Sequence, residues 1–269
     1  MDLSAIKAKL AEINSNDNSS DREKIDYEKV FWRPTVGKHQ VRIVPSAYDP
    51  GFPYTELKFH YGVGKYPMIA LSNFGKQDPI EEFCKELRKT SDKENWSLAG
   101  KLTPKTRIFA PVIVRGEEEM GVRLWGFGKT IYKALLALAE DEDVGDYTDV
   151  VNGWDLIVEQ VQGNPYPETT VRIKPKQTPL HENTDLVETW MKEQPRPQDS
   201  FTQYDYEFVK KQLQKYLDPD SEEEATPAPA TTQSSAPVQK QEAIFTEHNT
   251  AKATEAKADV VTQFDDLFS

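Results

Sequence analysis

Cysteine is nearly absent: Cys84 is the single one in 269 residues. That excludes an intrachain disulfide and any metal cage built from several thiolates, and it fits a reducing compartment. Long apolar runs are missing too. No stretch approaches the roughly 18 residues of a bilayer-crossing helix, and Met1, Asp2, Leu3 and Ser4 offer neither the basic start nor the apolar run of a signal peptide. No membrane role is expected, and the cytoplasm is the expected setting. Histidine is sparse: His39, His60, His181 and His248 form no His-x-x-x-His pair and have no nucleophile beside them in sequence. Positive charge is also in deficit, with 33 Lys and Arg against 45 Asp and Glu, a net of -12. Taken as a total, such charge repels a phosphate backbone.

Its distribution carries more information than its sum. Residues 219–269 hold ten acids against three lysines, a net of -7. Residues 101–139 hold Lys101, Lys105, Arg107, Arg115, Arg123, Lys129 and Lys133 against Glu117, Glu118 and Glu119, a net of +4. A basic segment thus lies inside an acidic chain.

Apolar spacing gives the elements. Leu3, Ile6, Leu10 and Ile13 mark a short amphipathic helix, which at this length needs something to dock on. Residues 37–44, 108–114, 122–127, 154–161 and 170–174 read as strands, short and β-branched and divided by Gly, Pro and Asn; residues 79–89, 129–139 and 201–217 read as helices. The expected class is α+β with a small antiparallel β core. Beyond residue 218 the run Glu222-Glu223-Glu224 and the Thr/Pro/Ala/Ser stretch after it cannot bury enough surface to offset ordering, so a disordered acidic tail is expected. The tip mixes Phe264, Leu267 and Phe268 with Asp265 and Asp266, the composition of a tethered partner-binding motif.

The basic segment is interleaved with Trp96, Phe109, Trp125, Phe127 and Tyr132. Cations that track phosphates and exposed rings that stack on bases are what single-strand binding requires. Trp125, set between Arg123 and Gly126, is the ring expected to be exposed; Phe127, next on the same strand, is the better core residue. Gly126-Phe127-Gly128-Lys129-Thr130 lacks the four-residue spacer of a phosphate loop, and Glu117-Glu118-Glu119 reads as a solvated hairpin turn. No catalytic pairing is defined.

Several of these landmarks resemble the helix-destabilising single-stranded DNA-binding proteins of T-even-type bacteriophages. Val41-Arg42-Ile43-Val44-Pro45-Ser46 is similar to that family's early strand, and Trp96-Ser97-Leu98 to the aromatic-Ser-Leu before its basic stretch. Residues 123–132 resemble its Phe-Gly-Lys-x-Ile-aromatic element, and Asp265-Asp266-Leu267-Phe268 its acidic-leucine terminus. The likeness covers about residues 30–180 and the tip. It implies a self-association arm over 1–20, an OB-fold-like DNA-binding core over 21–218 with an attached subdomain at about 54–95, and an acidic tail over 219–269. The function implied is non-enzymatic: coating single-stranded DNA with little sequence preference in replication, recombination and repair, in the cytoplasm of an infected bacterial host. Partners would be single-stranded DNA, further copies of the chain along it, and phage replication and recombination proteins through Phe264, Asp265, Asp266, Leu267 and Phe268. The resemblance places DNA-binding residues at Trp96, Lys105, Arg107, Phe109, Arg115, Arg123, Trp125, Lys129, Lys133 and Tyr166.

The family's zinc, held by one histidine and three cysteines, has no such ligands here. His60 matches the histidine, but the Cys-x-x-Cys pair falls around Asp78-Pro79-Ile80-Glu81, so no zinc and no other cofactor is expected. Packing of Tyr61, Tyr66, Ile69, Phe74, Ile80, Phe83 and Leu87 is expected to hold that subdomain instead. The competing reading is a protein–protein interaction scaffold that does not touch nucleic acid.

Overall fold

The computed structural model describes residues 26–49 and 51–219 and, near the C-terminus, residues 260, 263, 264, 267 and 268. The amphipathic segment of the first fourteen residues, nearly all of the acidic tail, and Asp265 and Asp266 lie outside the described residues. The elements are α1 (Tyr27–Val30), β1 (Phe31–Trp32), β2 (Gly37–Ile43), β3 (Thr55–His60), β4 (Met68–Ile69), α2 (Pro79–Lys89), α3 (Lys93–Leu102), β5 (Lys105–Val114), β6 (Arg123–Phe127), α4 (Lys129–Glu140), β7 (Trp154–Val161), β8 (Glu168–Gln177), α5 (Thr184–Lys192) and α6 (Tyr206–Leu217). The class is α+β, with a mostly antiparallel sheet. Two compact units share the chain: one takes the part up to Leu57 and Arg107–Phe201, the other Lys58–Thr106 and the chain after Phe201.

In the first unit the strand order is β1-β6-β5-β2-β7-β8; β1 pairs parallel with β6 and the rest of the path is antiparallel. Period-two alternation sends Val41 and Ile43 of β2, Ala110, Val112 and Val114 of β5, and Leu156 and Val158 of β7 to one face, where Ile131 and Leu135 of α4 cover them. Each large side chain sealed in this way contributes about 1.5–3 kcal/mol. On the opposite face Ile113 packs with Val44, Val122, Leu180 and Trp190 of α5. Polar residues of β2, β7 and β8 occupy the remainder of that face.

The second unit is a helical pack. Ile80, Phe83 and Leu87 of α2, Ala99 and Leu102 of α3, and Val209 and Leu213 of α6 share one buried cluster. Helix α2 starts where it does because Asp78 accepts from the Ile80 and Glu81 amides and Pro79 fills the first turn, a position that needs no amide donor. Arg88 and Lys89 in its last turn complement the negative end of the helix dipole. Of the residues expected to hold this unit, Ile69, Ile80, Phe83 and Leu87 are buried and Phe74 is half-buried, but Tyr61 and Tyr66 are exposed. The reason is local. Gly62 turns the chain at a positive φ of 80°, which puts both tyrosines on a surface loop where the Lys65 ammonium lies over the Tyr66 ring. Helix α6 begins at Tyr206 rather than at 201, because Pro197–Ser200 forms a separate 3-10 turn and Asp205 caps the helix proper.

Candidate nucleic-acid interface

The ten core residues picked from the sequence divide into two groups. Trp96, Lys105, Arg107, Lys129, Lys133 and Tyr166 are exposed, whereas Phe109, Arg115, Arg123 and Trp125 are wholly or largely withdrawn from solvent. Trp96 and Lys105 belong to the second unit and the other eight to the first. Trp96 stands on α3, 54% exposed, and its indole N–H donates to the Thr90 carbonyl at 2.9 Å. Lys129 and Lys133 lie one turn apart on α4, and Arg107 donates from Nη2 to the Gly126 carbonyl at 3.1 Å.

Trp125 corrects the expectation of an exposed ring. It is 1% exposed because β6 points Arg123, Trp125 and Phe127 into the core, and Trp125 sits opposite Ala110, whose small side chain leaves room for an indole. Trp32 meets it edge-on at 5.5 Å and Phe127 at 4.6 Å. Phe109 is likewise sealed. Its pairing partner is Gly126, where an added Cβ would lie 2.8 Å from the Phe109 ring, and the rings of Phe31 and Phe201 cover it at 6.2 and 5.4 Å. Arg123 is buried and ion-paired with the Glu117 carboxylate. The basic aromatic strip is legible in the sequence, but its members between 109 and 125, Phe109, Arg115, Arg123 and Trp125, are withdrawn from solvent.

A different set converges on the open face of the first unit. Asp155 of β7 accepts from Arg42 Nε at 2.8 Å, from Arg115 Nη2 at 3.0 Å and from Gln40 Nε2 at 2.5 Å. Arg42 is fully buried, and its other nitrogens reach the Asp149 carbonyl (3.2 Å) and both oxygens of Thr178 (2.6 and 2.7 Å). Gly153 makes this possible, since a Cβ there would come within 2.4 Å of Arg42 Nη1. Burial alone would raise the Asp155 pKa. The bond and charge of Arg115, with the bonds from Gln40 and Arg42, outweigh it and hold the carboxyl below its ordinary range. The carboxylate stays ionised, and two guanidiniums share it, leaving a residual positive charge.

Above this network lies an open depression of about 360 Å³, lined by Gln40, Arg115, Lys174, Thr178 and His181 among others. The Lys174 ammonium enters it, donating to Gln40 Oε1 at 3.1 Å. Along β8, Arg172 precedes Lys174 and Lys176 follows it. Arg172 and Lys174, two apart on the strand, are about 6.6 Å apart; the β7–β8 register is irregular from Ile173 to Gln177. The β7–β8 hairpin carries Tyr166, 77% exposed, at one end of the sheet. Lys38, on the neighbouring β2, pairs with Glu159 at 3.6 Å. Sequence reasoning missed Arg172, Lys174 and Lys176. The signal was present as cations at every second position of Arg172-Ile173-Lys174-Pro175-Lys176.

At the position where the resemblance would place zinc ligands, His60 and Asp78 bond to each other. His60 Nε2 donates to Asp78 Oδ2 at 2.9 Å, and Asp78 also accepts from the Leu71 amide at 2.8 Å and caps α2. Cys84 points its thiol at the Ala99 carbonyl, and burial pushes that thiol up to about 11. Among the described residues no group of three or more His, Cys, Asp or Glu is placed to hold a metal, and no helix is long and apolar enough to cross a membrane. No protein-family model matches the chain, and no curated protein matches it.

Proposed function

We propose that the chain is a non-enzymatic protein that coats single-stranded DNA with little sequence preference in phage replication, recombination and repair. The observation that carries this reading is a group of cations on the first unit: Lys174 and Arg115 line one depression, with Arg172 and Lys176 on either side of Lys174 along β8, over a carboxylate already shared by two guanidiniums. An acidic chain that groups cations in this way has local potential for phosphates despite its total charge. The mostly antiparallel sheet is the kind of surface an OB-fold-like core presents, and Tyr166 supplies an exposed ring for a base. Lys129, Lys133 and Arg107 add exposed cations to the same unit, with Lys129 and Lys133 on α4 across the sheet.

In this reading the acidic tail competes with DNA for those cations, and the tip engages replication and recombination proteins of the infected host's cytoplasm. Copies of the chain assemble side by side on the strand through the N-terminal arm. The test is a salt titration of oligo-dT affinity with the triple variant Arg172→Ala, Lys174→Ala, Lys176→Ala. Each phosphate contact on a single strand contributes about 0.7 to the slope of log affinity against log salt, so the slope should fall by about 2. An unchanged slope in a folded variant removes β8 from the interface.

A further inference from the structure

The C-terminal tip is not a free lure in this structure. Val260, Gln263, Phe264, Leu267 and Phe268 are helical. Their spacing of three, four, seven and eight from Val260 puts them on one stripe of a helix. That stripe lies on the second unit. Phe264 is 3% exposed and meets Phe83 of α2 edge-on at 5.9 Å. Phe268 stacks beside Phe264 at 4.8 Å and reaches Tyr206 of α6 at 6.4 Å, while Val260 and Leu267 pack against the same buried cluster. Two polar contacts fix the register: Asn95 Nδ2 of α3 donates to Gln263 Oε1 at 3.4 Å, and Lys210 Nζ of α6 donates to the Phe268 carbonyl at 3.2 Å. Lys210 also lies over the Phe268 ring at 5.0 Å. A cation at a helix C-terminus, bonded to an end carbonyl and facing an aromatic ring, suits this place three ways.

We infer that α2, α3 and α6 form a peptide-docking groove whose occupant is the chain's own tip, held in cis as a latch. The apolar side chains that would attract another protein, Phe264, Leu267 and Phe268, are the ones the groove withdraws. An outside partner therefore reaches the tip only after it undocks. The contact set is that of an amphipathic helix laid in a groove, a mode that isolated peptides sustain, and the covalent connection through residues 220–259 makes docking intramolecular. Its effective concentration is set by that connection, in the millimolar range for a flexible one. The inference stands apart from DNA binding, since every contact lies within the second unit.

A labelled peptide of residues 256–269 tests it on full-length protein. The variant Phe264→Glu/Phe268→Glu, with its groove vacated, should bind the peptide at least about tenfold more tightly than the unaltered chain, whose own tip competes. Adding Lys210→Glu to that variant should weaken binding again. Equal affinity for the unaltered and the tip-substituted chains, or no binding by either, overturns the groove. Sedimentation decides between cis and trans: a concentration-dependent dimer that the tip substitution abolishes would seat each tip on a neighbouring copy and overturn the latch. Should the variant not fold, hydrogen exchange over 260–268 of the unaltered chain decides. The expected result is slow exchange that excess free peptide accelerates; fast exchange without peptide overturns the proposal.

Discussion

In the first unit a fully buried guanidinium, Arg42, is held by Asp155, Asp149 and Thr178, with Arg115 as a second cation on the same carboxylate. In the second unit the buried polar pair is His60 and Asp78, 2.9 Å apart, on the rim of an apolar helical pack. Among the described residues His60 Nδ1 has no hydrogen-bond partner. One unit thus accepts a charged interior and projects the surplus outward as an anion-attracting surface. The other holds its buried His60–Asp78 pair beside an apolar helical pack and offers an apolar groove. The contrast lies in what each interior holds: ion-paired guanidinium and carboxylate in the first unit, apolar helix faces in the second.

Three substitutions probe that contrast. Asp155→Ala should have the largest effect, because it strands Arg42 in the interior without a counter-charge, a change that costs about 3–5 kcal/mol; thermal and denaturant melting measure it. A loss below about 1 kcal/mol would mean that the Arg42 contacts to backbone and Thr178 suffice, and the first unit would not depend on its ion pair. Leu87→Ala, in the apolar pack of the second unit, should cost about 3 kcal/mol through lost contact and residual cavity. Asp78→Asn should cost less, about 1–3 kcal/mol, because asparagine still caps α2 while the bonds that Oδ2 accepts from His60 and from the Leu71 amide are lost.

Acid adds a check on both units. Burial pushes the Asp78 and Asp155 carboxyls up, but their hydrogen bonds and neighbouring cations bring both below the ordinary range. A depressed carboxyl stabilises the fold fully above its unfolded pKa of about 3.9 and loses that contribution as pH falls through the folded value. Stability should therefore decline below about pH 4, and the decline should be shallower in Asp155→Ala and in Asp78→Asn than in the unaltered chain. Melting at pH 7, 4 and 3 reads this directly.

Much of the sheet was legible because period two leaves no ambiguity when β-branched residues alternate with polar ones, as in residues 37–44 and 154–161. Helix α3 was not: Trp96 and Ser97 are exposed and Gly100 interrupts the run, so Lys93–Leu102 shows little apolar periodicity. For the candidate site, composition located a basic and aromatic segment but not which way each side chain faces. Trp125 is buried because Ala110 lies across from it and Phe109 because Gly126 does, and neither pairing is visible before the register of β5 on β6 is known. Arg172, Lys174 and Lys176 escaped notice because the eye follows rings and this row has none. Their alternation was readable as a strand; the irregular register of β8 against β7 after Ile173 was not.

That terminal place has a consequence for how the molecule keeps to itself. An outermost strand has unmatched amides and carbonyls, an invitation to the strands of other copies. On β8 the invitation is refused: Pro175 removes one donor, and Arg172, Lys174 and Lys176 make the approach of an identical strand a meeting of like charges. Alanine at the three cations should thus raise turbidity on storage, because these side chains deter edge-to-edge pairing.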